Sequence, residues 1–305
     1  MQDSSLAQSI ASAAHKPLVS IIVPTLNREL FLERCIRSIL DQTYRNIECV
    51  VVDGASKDSS LTILSRLAET DSRLRFISEP DEGEVYAVNK GLDLATGDVV
   101  GVLNSDDYYV PDAVESSVDF LLAHPEYIGV SGDARYVDKH GQPLNRGVIT
   151  YRGEMSKRRV KRIIILRYKS TPVCHGSFFG WRLKLRRHGQ LDPVFSVMPD
   201  LEFYLRLLDA GERIGCLPRV QYNFTIHPGM GALRHAAKVE QQRALVHQRF
   251  GLRWYDNLLW MTVGRVASYV SNPYRAAFWD GVKWELEMWY ARTLGRRTQA
   301  DRSPQ

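Results

Sequence analysis

The chain has no CxxC pair, and its four cysteines, Cys35, Cys49, Cys174 and Cys216, stand at no metal-ligand spacing. That argues against a thiolate metal centre; Cys35 and Cys49 fall inside apolar patterns and read as reduced core thiols. No GxGxxG follows the first apolar run, which argues against a dinucleotide fingerprint, and no GxxxxGK(S/T) occurs, which excludes a P-loop. Charge of one sign is also scarce: 40 basic against 35 acidic residues leave +5, too mild for a nucleic-acid partner. No uninterrupted apolar stretch reaches the roughly 18 residues of a membrane-crossing helix. Residues 1–16 are rich in Ser, Ala and Gln and lack the basic-then-apolar order of a signal peptide. They are expected to be disordered. The expectation is a soluble cytoplasmic protein.

What is present is a 305-residue chain, 44% hydrophobic, long enough to bury a full core. Val19–Val23, Ile47–Val52, Leu74–Ile77 and Val99–Leu103 are short apolar runs that end in polar residues, the pattern of buried strands. Between them, residues 29–41, 58–67 and 85–94 carry apolar residues at helical spacing. Strands alternating with helices of this length predict βαβ units, hence an α/β fold with a mostly parallel sheet covered on both faces. Its strands would deliver Thr25 to Asn27, Asp53 and Asn104-Ser-Asp-Asp107 to one rim, where open α/β sheets bind ligands. Adjacent carboxylates there suit a Mg²⁺-type ion carrying phosphate; the same residues also make ordinary turns. Lacking a glycine nest, the rim must meet phosphate charge with metal and side chains.

Five phrases occur in unbroken order: Val19-Ser-Ile-Ile-Val-Pro-Thr-Leu-Asn-Arg28, Val50-Val-Val-Asp-Gly-Ala-Ser-Lys-Asp58, Ser78-Glu-Pro-Asp-Glu-Gly83, Asn89-Lys-Gly91 and Ala95-Thr-Gly-Asp-Val-Val-Gly-Val-Leu-Asn-Ser-Asp-Asp107. Together they resemble family 2 glycosyltransferases of the GT-A fold, from Leu18 to about Pro111 and more loosely to Gly231. The resemblance implies a Rossmann-like domain with a nucleotide-sugar-binding half over 18–110 and an acceptor-binding half over 111–231. Residues 1–17 precede it and 232–305 follow as a helical extension. It also implies donor-binding roles for Pro24, Thr25, Asn27, Asp53, Asp81, Lys90, Asn104 and Asp106, with Asp53 accepting from the uracil N–H. Asn104-Ser-Asp106 stands where the family carries Asp-x-Asp. The implied cofactor is therefore a divalent metal, Mg or Mn, on Asp106 and Asp107, with His227 a further candidate, although Asn104 replaces the first acid.

In the second half, Thr171-Pro-Val-Cys-His-Gly-Ser-Phe-Phe179 resembles the family's His-bearing strand and sets His175 on the acceptor side; on its residues alone, a lone histidine among apolar residues is more often a core group. Pro199 starts a helix with Asp200 and Glu202 in its first turn, where acids also complement the helix dipole. The resemblance puts the catalytic base at Asp200, with Glu202 as the fallback. His227-Pro-Gly-Met-Gly231 resembles a loop over the donor diphosphate, and is otherwise a turn. Around His140-Gly-Gln142, Tyr136-Val137 and Val148-Ile149 suggest hairpin arms.

Residues 156–169 are densely basic, and 232–305 carry 12 Lys or Arg against 6 Asp or Glu together with five of the six tryptophans. Stretches 156–169 and 232–294 therefore suit an anionic membrane surface. The competing readings are a solvated helix face for the first, and packing on the domain or in a homodimer for the second. The expected partners are a nucleotide-sugar donor, probed first as UDP-linked, and a saccharide or lipid-linked acceptor. The expected reaction is inverting sugar transfer; a non-catalytic nucleotide-sugar-binding protein and, behind it, an NAD-type oxidoreductase are the alternatives.

Overall fold

The computed structural model describes residues 16–144, Met155, 175–227 and 236–251. Strands β1 (Val19–Thr25), β2 (Ile47–Asp53), β3 (Leu74–Ser78) and β4 (Val99–Val102) pair in parallel, as the alternating pattern predicts. Helices α1 (Leu32–Leu40), α2 (Ser60–Thr70) and α3 (Glu84–Leu94) connect them. After β4 come β5 (Tyr108–Tyr109), α4 (Ala113–Ala123), β6 (Gly129–Val137), β7 (Phe179–Trp181), α5 (Arg182–Arg186), α6 (Pro199–Asp209), β8 (Ile214–Thr225) and α7 (Ala236–Arg249). One sheet holds all eight strands in the order β3-β2-β1-β4-β7-β6-β8-β5.

The sheet is mixed, which is less parallel than the sequence suggests. β7 runs antiparallel to both β4 and β6, and β5 runs antiparallel to β8. β5 and β7 are two and three residues long, too short to leave a periodic signal. The turn expected around His140 is present, closed by the Asp138 N–H to the Gln142 carbonyl, but its return arm is a bridge from Val137 to Pro143. Residues 148–149 lie outside the described residues.

β1 is buried at every position, and its side chains divide by the period of two. Val19, Ile21 and Val23 pack with α1, α2 and α4 on one face, together with the free thiols Cys35 and Cys49. Ile22 packs with Val85 and Val88 of α3 and with α6 on the other. Gly91 lets α3 lie directly on the sheet there, since a Cβ at that position would collide with Ile22 Cγ2. Pro24 interrupts no ladder: β4 pairs β1 only as far as Ile22, whose carbonyl accepts from Leu103 N–H. Beyond that point β1 and β4 part, and the rim opens. Among the described residues no helix is long and apolar enough to cross a membrane. The stretch 156–169 lies outside the described residues, and of 232–294 only 236–251 is described.

Candidate active site

The floor of the rim is made by two loops locked together. Gly54 N–H bonds the Thr25 carbonyl, Asn27 N–H bonds Ser56 Oγ at 2.7 Å, and Lys57 N–H bonds Asn27 Oδ1 at 2.8 Å. Asn27 and Ala55 both hold positive φ, 53° and 62°, a backbone conformation that side chains other than glycine rarely adopt. Asp53 is fully buried beneath them. Its Oδ2 accepts from Ser56 N–H at 2.9 Å and Ser78 Oγ at 2.7 Å, and its Oδ1 accepts from Ser56 Oγ at 2.5 Å. A carboxylate offers about four acceptor directions, so one on Oδ1 is left. Asp81 accepts from Gly83 N–H at 2.9 Å, and Lys90 is ion-paired with Glu79. Thr25 Oγ1 and Asn104 Oδ1 are buried with no hydrogen-bond partner, two orphaned acceptors on the same rim. Buried polar atoms of this kind call for a partner.

The second wall comes from distant sequence. β5 pairs β8 through Tyr108 to Asn223 and Tyr109 to Tyr222, which brings the end of β8 against the Asn104–Asp107 turn. Asp107 is buried and points into this junction, its Oδ1 accepting from Thr225 N–H at 2.8 Å. Burial, and then the neighbouring Asp106 charge, hold its carboxyl well above the usual carboxylate range, while the Thr225 bond opposes them. Asp106 turns the other way. Its Oδ2 stands 3.0 Å from His227 Nε2 and 3.7 Å from Arg28 Nε, and Phe31 backs the imidazole with ring centroids 4.6 Å apart.

The third wall is α6 with the turn before β7. Asp200 lies in the first turn of α6; burial raises its carboxyl, and His175 partly offsets the rise. His175 opens the 3-10 turn His175–Ser177, which is fixed to β6 by Ser177 Oγ bonding Ser131 Oγ at 2.9 Å and the Gly132 carbonyl at 2.8 Å. Its Nδ1 stands 3.2 Å from the Tyr204 hydroxyl, and burial lowers its basicity. Behind it lies a largely apolar cavity of about 350 Å³ bordered by Val88, Leu92, Phe178, Leu191, Phe203 and Tyr204. Glu202, two residues beyond Asp200, is fully buried and bonded to Arg206 at 2.9 Å, with its back to the cleft.

Two residues that the motifs did not single out complete the site. Arg28 supplies the cation beside Asp106. Glu84 begins α3. Lost solvation first, then the charges of Asp106 and Asp200, push its carboxyl up to about 7, with Arg28 pulling against them. The signal for Arg28 was its position in the polar exit of β1; Glu84 had none, being one acid in an acidic loop.

Asp106 and His227 are a plausible pair for a divalent cation on chemical grounds. Ligands about 2.1 Å from an ion at right angles lie about 3.0 Å apart, the separation these atoms have. Asp107 is committed to Thr225, and among the described residues no group of three or more His, Cys, Asp or Glu side chains is arranged to hold a metal by itself. Remaining positions would fall to water and substrate oxygens, as is usual for magnesium.

Known proteins resemble this chain in sequence and in fold. A family model described as glycosyl transferase family 2 matches residues 20–189, more than half of the chain. Chondroitin synthase of Escherichia coli is 30% identical over 226 residues, covering 72% of this chain and 31% of that protein. An uncharacterized glycosyltransferase of Haemophilus influenzae is 34% identical over 129 residues, 42% of this chain and 51% of that one. The chain thus spans about half or less of these curated relatives' length. Among solved structures, TarS 1-349 of S. aureus in complex with UDP-GlcNAc aligns with a TM-score of 0.63 and 19% identity over 87% of this chain and 79% of that one. The mannosyltransferase PcManGT of Pyrobaculum calidifontis, in complex with GDP-Man and Mn2+, aligns with a TM-score of 0.55 and 22% identity over 98% and 91%. The fold is therefore GT-A, and the chain belongs to glycosyl transferase family 2, a family of glycosyltransferases.

Proposed function

We propose that the protein transfers a sugar from a nucleotide diphosphate sugar, UDP-linked, to an acceptor hydroxyl with inversion, in the assembly of a polysaccharide or glycoconjugate. The observation that carries this reading is the Asp106–His227 pair, 3.0 Å apart beside Arg28 at the open rim of the sheet. TarS with UDP-GlcNAc and PcManGT with GDP-Man and Mn2+ support a nucleotide-sugar donor, and chondroitin synthase supports a polysaccharide product.

The nucleotide lies on the two locked loops. Asp53 has one acceptor direction left for a uracil N–H, and the orphaned Thr25 Oγ1 and Asn104 Oδ1 accept from ribose hydroxyls. Pro24 and Asn27 shape the loop that carries the base, while Asp81 and Lys90 border it through Gly83 and Glu79. The diphosphate reaches Arg28 and the Asp106–His227 pair. Asp106 and His227 would hold a Mg²⁺ or Mn²⁺ ion, which when bound supplies positive charge to the departing diphosphate.

Asp200 removes the proton from the attacking hydroxyl. Its raised carboxyl makes it a better base than an ordinary aspartate, since proton transfer is most efficient when the pKa lies near the working pH. Attack comes from the face opposite the leaving group. His175, on Tyr204 beside Asp200, belongs to the acceptor side, where a saccharide or a lipid-linked saccharide docks. A screen of UDP- and GDP-linked sugars tests the reading. One donor should give metal-dependent release of nucleoside diphosphate that EDTA abolishes. Absence of release and of binding with every donor would overturn it.

A further inference from the structure

We propose that Gln242 of α7 is a positioning residue for the transfer reaction, holding the stretch of chain that sets where Asp200 stands. The inference rests on the proposed role of Asp200 as base. It goes further by giving a task to a helix beyond residues 20–189, the part that the family model matches.

Asp200 is the second residue of α6, and that helix starts without a side-chain cap, since Met198 at the N-cap makes no such hydrogen bond. The place of Asp200 is therefore inherited from residues 187–198, which carry a single 3-10 turn, Pro193–Phe195. Between Asp192 and Met198 only Phe195 is buried, and Val194 is 61% exposed. A stretch with so little apolar burial opens easily unless hydrogen bonds fix its path.

Gln242 supplies those bonds from a side chain that is only 3% exposed. Its Nε2 donates to the Val194 carbonyl at 2.7 Å and to Ser196 Oγ at 3.1 Å, and its Oε1 accepts from Val197 N–H at 2.8 Å. One amide thus uses both its hydrogens and an acceptor on the chain just before Asp200. Two turns further along α7, Arg249 bonds Asp192 at 2.7 Å and lies over the Phe195 ring, 5.4 Å from its centroid. Asp192 in turn accepts from Val194 N–H at 3.1 Å. Val246, between the two, is fully buried in the same core as Leu201 and Leu205 of α6. From the opposite side α3 grips the stretch through Asn89, which bonds the Leu191 N–H at 3.0 Å and the Leu191 carbonyl at 2.9 Å. Pinned between α3 and α7, residues 191–197 deliver Asp200 to one place. Catalytic groups depend on such supporting bonds, because a 1 Å displacement can cost about 100-fold in rate.

The test is a double-mutant cycle on the full chain: wild type, Gln242→Ala, Asp200→Asn and the two combined. Nucleoside diphosphate release is followed with Mn²⁺ and the donor that the screen of UDP- and GDP-linked sugars selects, at enzyme concentrations high enough to read residual turnover. Gln242→Ala should lower kcat by at least about tenfold, while Kd for UDP and GDP stays within about twofold of wild type. In the Asp200→Asn background the same replacement should change the residual rate by less than about twofold, because the group it positions is already gone. A merely structural loss would lower the rate by the same factor in both backgrounds. Gln242→Glu keeps an acceptor for Val197 N–H and should fall between wild type and Gln242→Ala; it replaces the alanine variant in the cycle if that variant melts below the assay temperature. Equal factors in the two backgrounds, or an unchanged kcat in Gln242→Ala, would overturn the proposal and leave Asp200 as the base. Asp200→Asn turning over at the wild-type rate would overturn both.

Discussion

His227 holds Nε2 3.0 Å from Asp106 Oδ2 although 121 residues separate them in the chain. Three contacts set that distance. The two-residue strand β5 pairs with β8, Asp107 bonds the Thr225 N–H, and Phe31 stacks behind the imidazole. The sheet itself thus brings a late histidine to an early aspartate.

If this pair holds the cation, His227→Ala should raise the Mn²⁺ concentration for half-maximal turnover by about 10- to 100-fold, the range seen for groups supporting a metal site. Asp106→Ala should abolish the metal response. Metal titrations of nucleoside diphosphate release, together with Mn²⁺ binding by electron paramagnetic resonance, check both.

Asp107 should behave as a structural residue. Asp107→Asn keeps an oxygen for Thr225 N–H and removes a like charge beside Asp106, so its melting temperature at pH 7.5 should equal or exceed that of wild type. Asp107→Ala strands a buried N–H and should cost about 1–3 kcal/mol in chemical denaturation. Equal losses in the two variants would contradict this assignment.

Glu84 predicts a pH signature. Its carboxyl titrates near 7 in the folded protein against an ordinary 4.5, so the folded state binds more protons than the unfolded state between those values. The stability of the metal-free protein therefore falls as pH rises through that window. Glu84→Gln should melt higher than wild type at pH 8 and alike at pH 4, measured by calorimetry in EDTA.

Gly91 marks where α3 rests on β1. Gly91→Ala should destabilise by about 1–3 kcal/mol through overpacking against Ile22, with an unchanged denaturant slope.

Much of the donor half was legible because its signals are local. The apolar runs of β1, β2 and β4 and their polar exits put Thr25, Asp53 and Asn104–Asp107 on one rim, and the structure has them there. What local pattern could not supply is how each carboxylate is used. Asp107 looks in sequence like a ligand-facing acid but is bonded inward to Thr225, and Asp53 is held by Ser56 and Ser78 with one acceptor direction left. Asp200 and Glu202 share one helix turn, where the resemblance prefers Asp200 and keeps Glu202 as the fallback; packing adds that Glu202 is drawn to Arg206. Arg28 and Glu84 enter the site through long-range closure around Asp106, which no spacing encodes. β5 was missed because two residues carry no period.

The most direct test of the central claim compares Asp200→Asn with Glu202→Gln. Glu202→Gln leaves Arg206 without its buried partner and should cost about 3 kcal/mol of stability, while its folded fraction at low temperature keeps turning over. Asp200→Asn should fold as wild type and bind donor with unchanged affinity. Its transfer rate, read as nucleoside diphosphate release with the preferred donor and Mn²⁺, should fall by at least about 100-fold, the scale of a lost general base. Turnover by Asp200→Asn at the wild-type rate would contradict the account.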